Sequence, residues 1–205
     1  MNITTLKVGP IVTNCYILSD ETAKVCAVID PGEQPELIEG EIAKTGCTLA
    51  AIYLTHGHFD HCTAVRPLLQ NHPDVPVYIH ENDVVDGAGS EMKFGRLGEK
   101  NQRYYKEGDV LTLGSLTITV WETPGHSSGS VCLLVGNNVF VGDTLFYMCC
   151  GRTDFEDGSY ESILRSLGRL GKLAGEYFVY PGHDRSTTLS FERECNPFML
   201  QGMRL

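Results

Sequence analysis

Short apolar runs alternate with polar turns along the chain, and their spacing predicts two successive groups of strands accompanied by helices. In the first half, apolar runs bounded by turn residues predict strands over residues 15–18, 25–29, 49–54 and 75–79. Apolar residues at helical spacing predict helices over residues 35–45 and 61–70. A short helical turn is expected over residues 81–86.

The second half of the chain repeats this order of strands before helices. Apolar runs separated by turns predict strands over residues 110–112, 116–120, 131–135, 139–141 and 177–180. Helices are predicted over residues 159–170 and 188–194. Between the halves, residues 87–108 have little periodicity and predict a long loop at the mouth or flank of a site. The two halves favour an α/β fold, an αββα four-layer sandwich of two sheets with helices outside.

Length, charge and composition limit the kinds of protein and partner that fit the chain. The chain has 205 residues, of which 42% are apolar, so we expect a single domain over residues 1–205. Its formal net charge of −10 and its lack of Lys/Arg-rich runs argue against a nucleic-acid partner. No apolar stretch is long enough to span a membrane, and the N-terminus lacks the pattern of a secretory signal. We therefore expect a cytoplasmic protein that acts on a small molecule, with its oligomeric state left open.

Metal-binding residue types are concentrated in one stretch between a predicted strand and a predicted helix. His56, His58, Asp60 and His61 lie within six residues. Neutral imidazole and carboxylate are the usual ligands of zinc and its neighbours in the transition series. The side chains of His56 and His58 can point in the same direction from an extended loop and bind one metal ion. Those of Asp60 and His61 can face a second metal position close by. Two ligands per metal are too few, so further ligands must come from elsewhere in the chain.

Three further candidates follow predicted strands at glycine-marked turns. They are His126 in Thr-Pro-Gly-His, Asp143 in Val-Gly-Asp-Thr and His183 in Pro-Gly-His. Because strand ends at one edge of a sheet gather the chemistry of α/β folds, we expect these side chains to meet the first stretch. His72 and His80 stand outside these motifs, and we expect them to be surface or capping groups.

The order of the motifs, H-x-H-x-D-H, then His after Pro-Gly, Asp after Gly and His in Pro-Gly-His, resembles the metallo-β-lactamase superfamily. Within it, the chain looks most like the short, single-domain hydrolases of the glyoxalase II type, over nearly its whole length. The resemblance implies the same αββα layering and seven metal ligands. One metal would be held by His56, His58 and His126, a second by Asp60, His61 and His183, with Asp143 bridging the two.

The resemblance implies a binuclear metal-dependent hydrolase of a small thioester such as S-lactoylglutathione. Two divalent metals about 3.5–4 Å apart can share one water and lower its pKa to about 7, which makes a bridging hydroxide available as the nucleophile. Zinc is the expected metal, although His and Asp ligands also accept iron or manganese. Asp60 would be the catalytic residue that orients this water or takes its proton.

Arg152 is the candidate substrate-binding residue. Cys150-Gly151-Arg152 matches a Cys-Gly-Lys type stretch whose basic residue contacts glutathione in this family, and Arg can bind a carboxylate bidentately. A surface ion pair is the alternative role for Arg152. The family's Glu-Tyr-Thr after the last metal-binding His is replaced here by Asp184-Arg185-Ser186, and a C-terminal helical domain of larger members has no counterpart. The implied reaction is therefore thioester hydrolysis, with the thiol half left open.

Other functions stay open beside this one. A mononuclear iron persulfide dioxygenase has a similar motif set, and a non-enzymatic metal-binding module is a third possibility. An Asp at position 143 argues against β-lactam hydrolysis, since superfamily members that open β-lactams usually lack it. Asp30-Pro31-Gly32 either supports the metal ligands from beneath or is only a turn.

The eight cysteines include no Cys-x-x-Cys pair, so reduced and mostly buried thiols are expected rather than a disulfide framework. Three of them lie close to the motifs. Cys62 follows a candidate ligand directly, while Cys149 and Cys150 precede Arg152. Each is either a packing group or a thiol exposed to chemistry at the site.

Overall fold

The computed structural model describes residues 1–205 and contains two six-stranded sheets. The strands of the first half are β1 (Asn2–Val8), β2 (Thr13–Asp20), β3 (Val25–Ile29), β4 (Thr48–Tyr53), β5 (Val77–Ile79), β6 (Val84–Val85), β7 (Phe94–Gly95) and β8 (Gln102–Tyr104). The helices of this half are α1 (Pro35–Thr45), α2 (Phe59–Cys62) and α3 (Val65–Asn71), and one 3₁₀ turn spans Glu81–Asp83.

The second half contributes as many strands. They are β9 (Val110–Leu113), β10 (Leu116–Glu122), β11 (Val131–Val135), β12 (Asn138–Gly142), β13 (Leu145–Phe146), β14 (Cys149–Cys150), β15 (Phe178–Pro181) and β16 (Thr187–Thr188). The helices of this half are α4 (Tyr160–Gly171), α5 (Leu189–Cys195) and α6 (Pro197–Gly202).

The first sheet has the strand order β1-β2-β3-β4-β5-β8, and the second has the order β16-β15-β12-β11-β10-β9. In the first sheet β3, β4, β5 and β8 are parallel to one another, and β1 and β2 are added antiparallel. In the second sheet β12 and β15 are the parallel pair. Parallel neighbours end at the same edge of a sheet, so the loops after β3, β4 and β5 lie together.

Three buried apolar clusters separate the layers. One lies between the first sheet and the helices α1 and α3, and includes Ile38 and Leu68. A second fills the space between the two sheets, where Tyr16 packs edge-on against Phe140. The third lies between the second sheet and α4 to α6, and includes Leu167. This order of helices, sheet, sheet and helices confirms the predicted αββα sandwich.

The helix ends follow from local sequence signals. α1 starts at Pro35, whose fixed φ suits the first helical position, and ends at Gly46, whose φ of +63° closes the last turn. α4 is capped by Ser159, whose hydroxyl accepts a hydrogen bond from the Ser162 N–H at 3.2 Å. α4 is also the longest helix at 12 residues, and none of the helices combines the length and apolar character that crossing a bilayer requires.

The helical turn expected over residues 81–86 is confined to Glu81–Asp83, since Val84–Val85 form β6 and pair with β7. Two further predictions about the first half are wrong. The helix expected over residues 61–70 is divided into α2 and α3, because the Ala64 N–H donates to the carbonyl oxygens of Pro31 and Gly32 instead of continuing a helix. The loop expected over residues 87–108 contains β7 and β8, and β8 pairs with β5 at the edge of the first sheet. In both cases a contact distant in sequence decides the local structure.

Candidate metal centre

Five of the seven candidate ligands lie in loops that follow strands, and the other two, Asp60 and His61, lie in α2, which comes directly after the loop that follows β4. His56 and His58 follow β4, whereas His126, Asp143 and His183 follow β10, β12 and β15 of the second sheet. The carboxyl ends of these strands meet along one edge of the sandwich, which is where α/β folds assemble their sites. Segments distant in sequence are therefore brought to one place by the strand order alone.

His56, His58 and His126 form the first group of candidate ligands. One ligand atom from each lies within 4.8 Å of the others. His126 Nε2 is 2.8 Å from His58 Nδ1, and all three rings are buried. The structure thus brings together the three side chains expected at metal one.

Asp60, His61 and His183 form the second group, with their ligand atoms again within 4.8 Å of one another. Asp60 Oδ2 is 3.2 Å from His183 Nε2 and 3.5 Å from His61 Nε2. The Thr13 hydroxyl donates to the same Oδ2 at 3.0 Å. Burial works to raise the pKa of the Asp60 carboxyl, but its contacts with the two histidines lower it. Asp60 is therefore ionised at neutral pH, as a metal ligand must be.

Asp143 lies between the two groups. Its Oδ1 is 3.4 Å from His61 Nε2, and its Oδ2 is 3.4 Å from His126 Nε2 and 3.5 Å from His183 Nε2. Burial works to raise the pKa of this carboxyl, but the neighbouring histidines hold it well below its usual range. A single carboxylate that reaches members of both groups has the placement expected of a bridging ligand.

Asp30 supports this arrangement from beneath. Its Oδ2 is 3.0 Å from His61 Nδ1, and its carboxylate accepts hydrogen bonds from the Thr55 N–H and hydroxyl, both at 2.7 Å. Although burial works to lower the pKa of His61, the carboxylates of Asp143 and Asp30 raise it. Of the two interpretations of Asp30-Pro31-Gly32, the contacts favour the supporting one, because a carboxylate on the far ring nitrogen fixes the orientation of a ligating His.

Unpaired polar atoms at the centre show that the donor set fits metal ions. His56 Nε2, His58 Nε2 and Asp143 Oδ1 are buried and have no hydrogen-bond partner in the protein. Buried polar atoms are almost always paired, so three such atoms in one place indicate a group that the chain itself does not supply. Burial also lowers the pKa of His56, and it lowers the pKa of His58 to about 4. Both rings are then neutral imidazoles, the form that binds a metal.

A carboxylate that sequence reasoning missed, Asp83, joins the loops that carry the first group. Its Oδ2 accepts hydrogen bonds from the Gly57 N–H at 2.9 Å and the Ser127 hydroxyl at 2.7 Å. Its Oδ1 accepts one from the Gly129 N–H at 3.0 Å. Gly57 lies between the first two histidines, and Ser127 follows His126 directly. The signal available in the sequence was its position four residues after β5, at the same edge of the first sheet.

Lys93 compensates the charge of this buried carboxylate. Its ammonium is 3.1 Å from Asp83 Oδ1 and also pairs with the carboxylate of Asp157. The Asp157 carboxylate in turn accepts hydrogen bonds from the N–H and hydroxyl of Ser128, at 3.1 and 3.0 Å. Two carboxylates and one ammonium thus hold the turn after His126 from two sides.

A cavity of about 600 Å³ opens over the candidate metal centre, and half of the residues that line it are apolar. Its polar lining includes members of both ligand groups and Asp143. Its apolar lining is formed by Ile11, Phe59, Met92, Phe146, Cys149, Cys150 and Phe155. A concave, largely apolar space with a few converging polar groups is the usual form of a small-molecule site.

Arg152 lies at the edge of this cavity, and its carbonyl oxygen is 2.8 Å from His126 Nδ1. Its guanidinium donates two hydrogen bonds of 2.7 Å to the Asp154 carboxylate and stacks on Phe155, 4.4 Å from the ring centroid. The residue therefore lines the site and also forms an exposed ion pair. Its role in substrate binding stays a prediction.

The three cysteines near the motifs have different surroundings. Cys62 is buried in the cluster beneath the first sheet, and burial raises the pKa of its thiol, so it is a packing group. Cys150 is half-buried, and burial raises the pKa of its thiol to about 12. Cys149 is exposed. All eight cysteines of the chain are free thiols.

His72 and His80 lie outside both ligand groups. His72 ends α3 and its Nε2 is 3.0 Å from Glu39. His80 caps the 3₁₀ turn through its ring and its Nε2 is 3.1 Å from Glu122. The His80 ring is thus a capping group, whereas the His72 ring forms a partly exposed pair with Glu39, and neither belongs to the candidate metal centre.

Comparison with known proteins identifies relatives over nearly the whole chain. The family model of the metallo-beta-lactamase superfamily matches residues 8–183. The probable metallo-hydrolase YqgX of Bacillus subtilis is 36% identical over an alignment of 204 positions that covers 95% of each chain. The hydroxyacylglutathione hydrolase GloC of Haemophilus influenzae is 31% identical over an alignment of 210 positions that covers 97% of this chain and 98% of that protein.

Solved structures with the same fold differ in what they are described as. BLEG-1, a B3 metallo-beta-lactamase, has a TM-score of 0.86 and 31% identity and covers 97% of this chain and 99% of its own. ETHE1 from Myxococcus xanthus has a TM-score of 0.81 and 32% identity, with 96% and 84% covered. TTHA1623 in a di-iron-bound form has a TM-score of 0.80 and 35% identity, with 95% and 99% covered. Because BLEG-1 is described as a β-lactamase, the expectation from Asp143 that this chain does not hydrolyse β-lactams stays a prediction.

Proposed function

The chain belongs to the metallo-beta-lactamase superfamily, and from this premise we propose that it is a binuclear metal-dependent hydrolase of a small thioester of the S-lactoylglutathione type. Two divalent ions would be held by His56, His58 and His126, by Asp60, His61 and His183, and by Asp143 between them. The ions are zinc in this proposal, with iron or manganese as the alternatives that the same ligands accept.

The observation that carries the proposal is the position of Asp143 between two three-residue groups. Each of its carboxylate oxygens approaches a histidine of a different group, at 3.4 Å. This arrangement supports a binuclear centre over a mononuclear iron centre, which would use only one group. The similarity to GloC, which is described as a hydroxyacylglutathione hydrolase, supports a thioester as the substrate.

Bound divalent ions would supply a water of lowered pKa and would polarise the substrate carbonyl. In this proposal the two carboxylate oxygens of Asp60 have different roles. Thr13 and His183 engage Oδ2, whereas Oδ1 has no protein partner and can accept the proton of the attacking water. The Asp60 carboxyl is ionised at neutral pH, and its free Oδ1 is the atom available for this step.

The reaction in this proposal is the addition of water across the thioester. The water oxygen bonds to the carbonyl carbon, the carbon–sulfur bond breaks, and the thiolate leaves and takes up the proton. Phe59, Phe146 and Phe155 line the cavity and would pack against the substrate, displacing bulk water other than the attacking molecule. Because water is the nucleophile, this reaction requires no Ser or Cys side chain as a nucleophile.

The test is elemental analysis of the purified protein combined with assays on the same sample. We expect two divalent ions per chain and hydrolysis of S-lactoylglutathione. A single iron ion, oxygen uptake with a persulfide and no hydrolysis would overturn the proposal in favour of the dioxygenase. Two ions without thioester turnover would refute the substrate, and turnover of a cephalosporin in the same assay would then point to β-lactam hydrolysis.

A further inference from the structure

A second cavity of about 570 Å³ lies beside the one over the candidate metal centre. The two cavities share Ile11 and His183 in their linings, so they meet at the second ligand group. Seven of the nine residues that line the second cavity are polar, and its walls come from β1, the turn between β1 and β2, the start of β2 and the segment that follows His183. A substrate that reaches the metal centre through the first cavity can extend past His183 into the second.

Two cations line this second cavity, and neither is neutralised. Lys7 donates a hydrogen bond from its ammonium to the carbonyl oxygen of Asp184 at 2.6 Å. Arg185 stacks its guanidinium on the ring of Tyr147, 3.5 Å from the centroid. No carboxylate lies within 4.0 Å of either cation, although the exposed side chain of Asp184 lines the same cavity. The chain as a whole has a net charge of −10, so two cations without carboxylate partners make this cavity locally more positive than the rest of the surface.

The floor of this cavity is fixed by buried hydrogen bonds. The side-chain amide of Asn14 donates to the carbonyl oxygens of Pro181 and Asp184, at 2.8 and 3.1 Å. The Tyr16 hydroxyl donates to Pro181 at 2.5 Å. Asp184 has a φ of +65°, in the left-handed region, and these contacts hold it there. The segment that carries Arg185 is therefore preorganised, which lowers the entropy lost when a ligand binds.

Arg152 differs from these two residues. Its guanidinium is already engaged by both oxygens of Asp154 at 2.7 Å, so an anionic ligand would have to displace an existing partner. Lys7 and Arg185 have no such competitor. The unpaired positive charge beside the metal centre thus lies in the second cavity, whereas Arg152 lines the first.

We propose that the cavity beside His183 is a subsite for an anionic group of the substrate, bound by Lys7 and Arg185. This inference rests on the proposed thioesterase function and names its substrate class: thioesters that carry an acid on the half extending past His183. Both carboxylate and phosphate suit a paired ammonium and guanidinium. The apolar first cavity would hold the other half of the molecule.

The experiment compares lactoyl thioesters of N-acetylcysteine and N-acetylcysteamine, which differ only in one carboxylate. We expect kcat/KM to be about tenfold higher for the acid, and the ratio to fall as salt screens the charges. Lys7→Gln and Arg185→Gln should each reduce this ratio by about threefold, and the double variant should abolish it. Lys106→Gln and Arg204→Gln are matched controls, since each removes one exposed charge outside both cavities.

Further substrate pairs identify the source of the anion. Lactoyl thioesters of pantetheine and 4′-phosphopantetheine test whether the subsite binds a phosphate on the thiol half. Succinyl and butyryl thioesters of N-acetylcysteamine test whether it binds a carboxylate on the acyl half. Equal kcat/KM within all three pairs would overturn the subsite while leaving thioester hydrolysis intact. Loss of the ratio in Arg152→Gln, with Arg185→Gln retaining it, would also overturn the subsite in favour of Arg152.

Binding measured without turnover separates this inference from the proposed function. Calorimetric titration would use the thioether analogue of each N-acetylcysteine and N-acetylcysteamine thioester, which has no thioester bond to hydrolyse. Tighter binding of the acid, lost in Arg185→Gln, would support the subsite even if no thioester were cleaved. Equal affinity for both analogues in the wild-type protein would refute it.

Discussion

Replacement of Asp83 by Asn tests whether this buried carboxylate holds the metal-ligating loops together. Asp83 is fully buried and accepts hydrogen bonds from Gly57, Ser127, Gly129 and Lys93 through its two oxygens. An Asn side chain has one acceptor oxygen, and its NH₂ group must face donors on the other side. In either orientation at least one buried backbone N–H loses its partner, and Lys93 loses a compensating charge.

The magnitude follows from these lost contacts. A hydrogen bond to a buried charged group and the loss of one partner of a buried ion pair together amount to about 3 kcal/mol of unfolding free energy. For a chain of this size that corresponds to a fall in Tm of about 10 °C. Because the Gly57 N–H lies between His56 and His58, metal affinity should also fall, by about 10–100-fold, as it does when groups that orient ligands are removed.

The assay is thermal denaturation of the metal-free protein, followed by competition for zinc with a chromophoric chelator. Asp74→Asn is the matched control, since that carboxylate is 84% exposed and forms only a surface ion pair with Lys100. The control should change Tm by less than about 2 °C. If Asp83→Asn matched the control in both Tm and zinc affinity, the reasoning that Asp83 joins the two loops would be refuted.

Three further predictions concern the centre and its cavity. Asp143→Ala should lose one or both metals together with activity, and elemental analysis that still found two ions at full rate would contradict the bridging assignment. Gly182→Ala should lower kcat by about a hundredfold, because an added Cβ would lie 2.1 Å from Asp143 Oδ1 and displace this carboxylate. The control is Gly40→Ala in α1, where an added Cβ meets no atom within 4 Å. This variant should keep full activity, and its free energy of unfolding should rise by about 0.5–1 kcal/mol. Iodoacetamide near neutral pH should label the exposed Cys149 and spare Cys150, since a pKa of about 12 leaves its thiol protonated, and peptide mapping that found equal labelling would contradict this.

The long periodic elements and the ligand positions were accessible from the sequence. α1 spans the predicted residues because Pro35 and Gly46 mark its ends and its apolar spacing is regular. The seven candidate ligands converge as expected because each follows a strand, and strand ends share an edge. Their identity as metal ligands stays a prediction for elemental analysis to decide.

The remaining features depend on contacts that no local pattern encodes. β8 has only three residues, two of them Gln102 and Arg103, and exists because β5 offers a free edge. The division between α2 and α3 comes from hydrogen bonds to Pro31 and Gly32, about thirty residues away. Asp83 was missed for the same reason, since its partners lie in three other loops. The pairing of Arg152 with Asp154 is local, but sequence alone could not decide between an ion pair and a free cation.

The division of the ligands between the two sheets has a consequence for how the protein matures. His56 and His58 in one group, and Asp60 and His61 in the other, follow β4, and the second sheet supplies the third member of each group. While the chain is being made, the nascent first half therefore holds neither group complete; its own candidate trio is Asp30, His56 and His61, and the Asp30 carboxylate is already engaged by Thr55 and His61. Both groups, and Asp143 between them, are completed only when the second sheet has been synthesised and has docked. Metal loading would thus act as a checkpoint that marks correctly assembled molecules and leaves unfinished chains on the ribosome unmetallated.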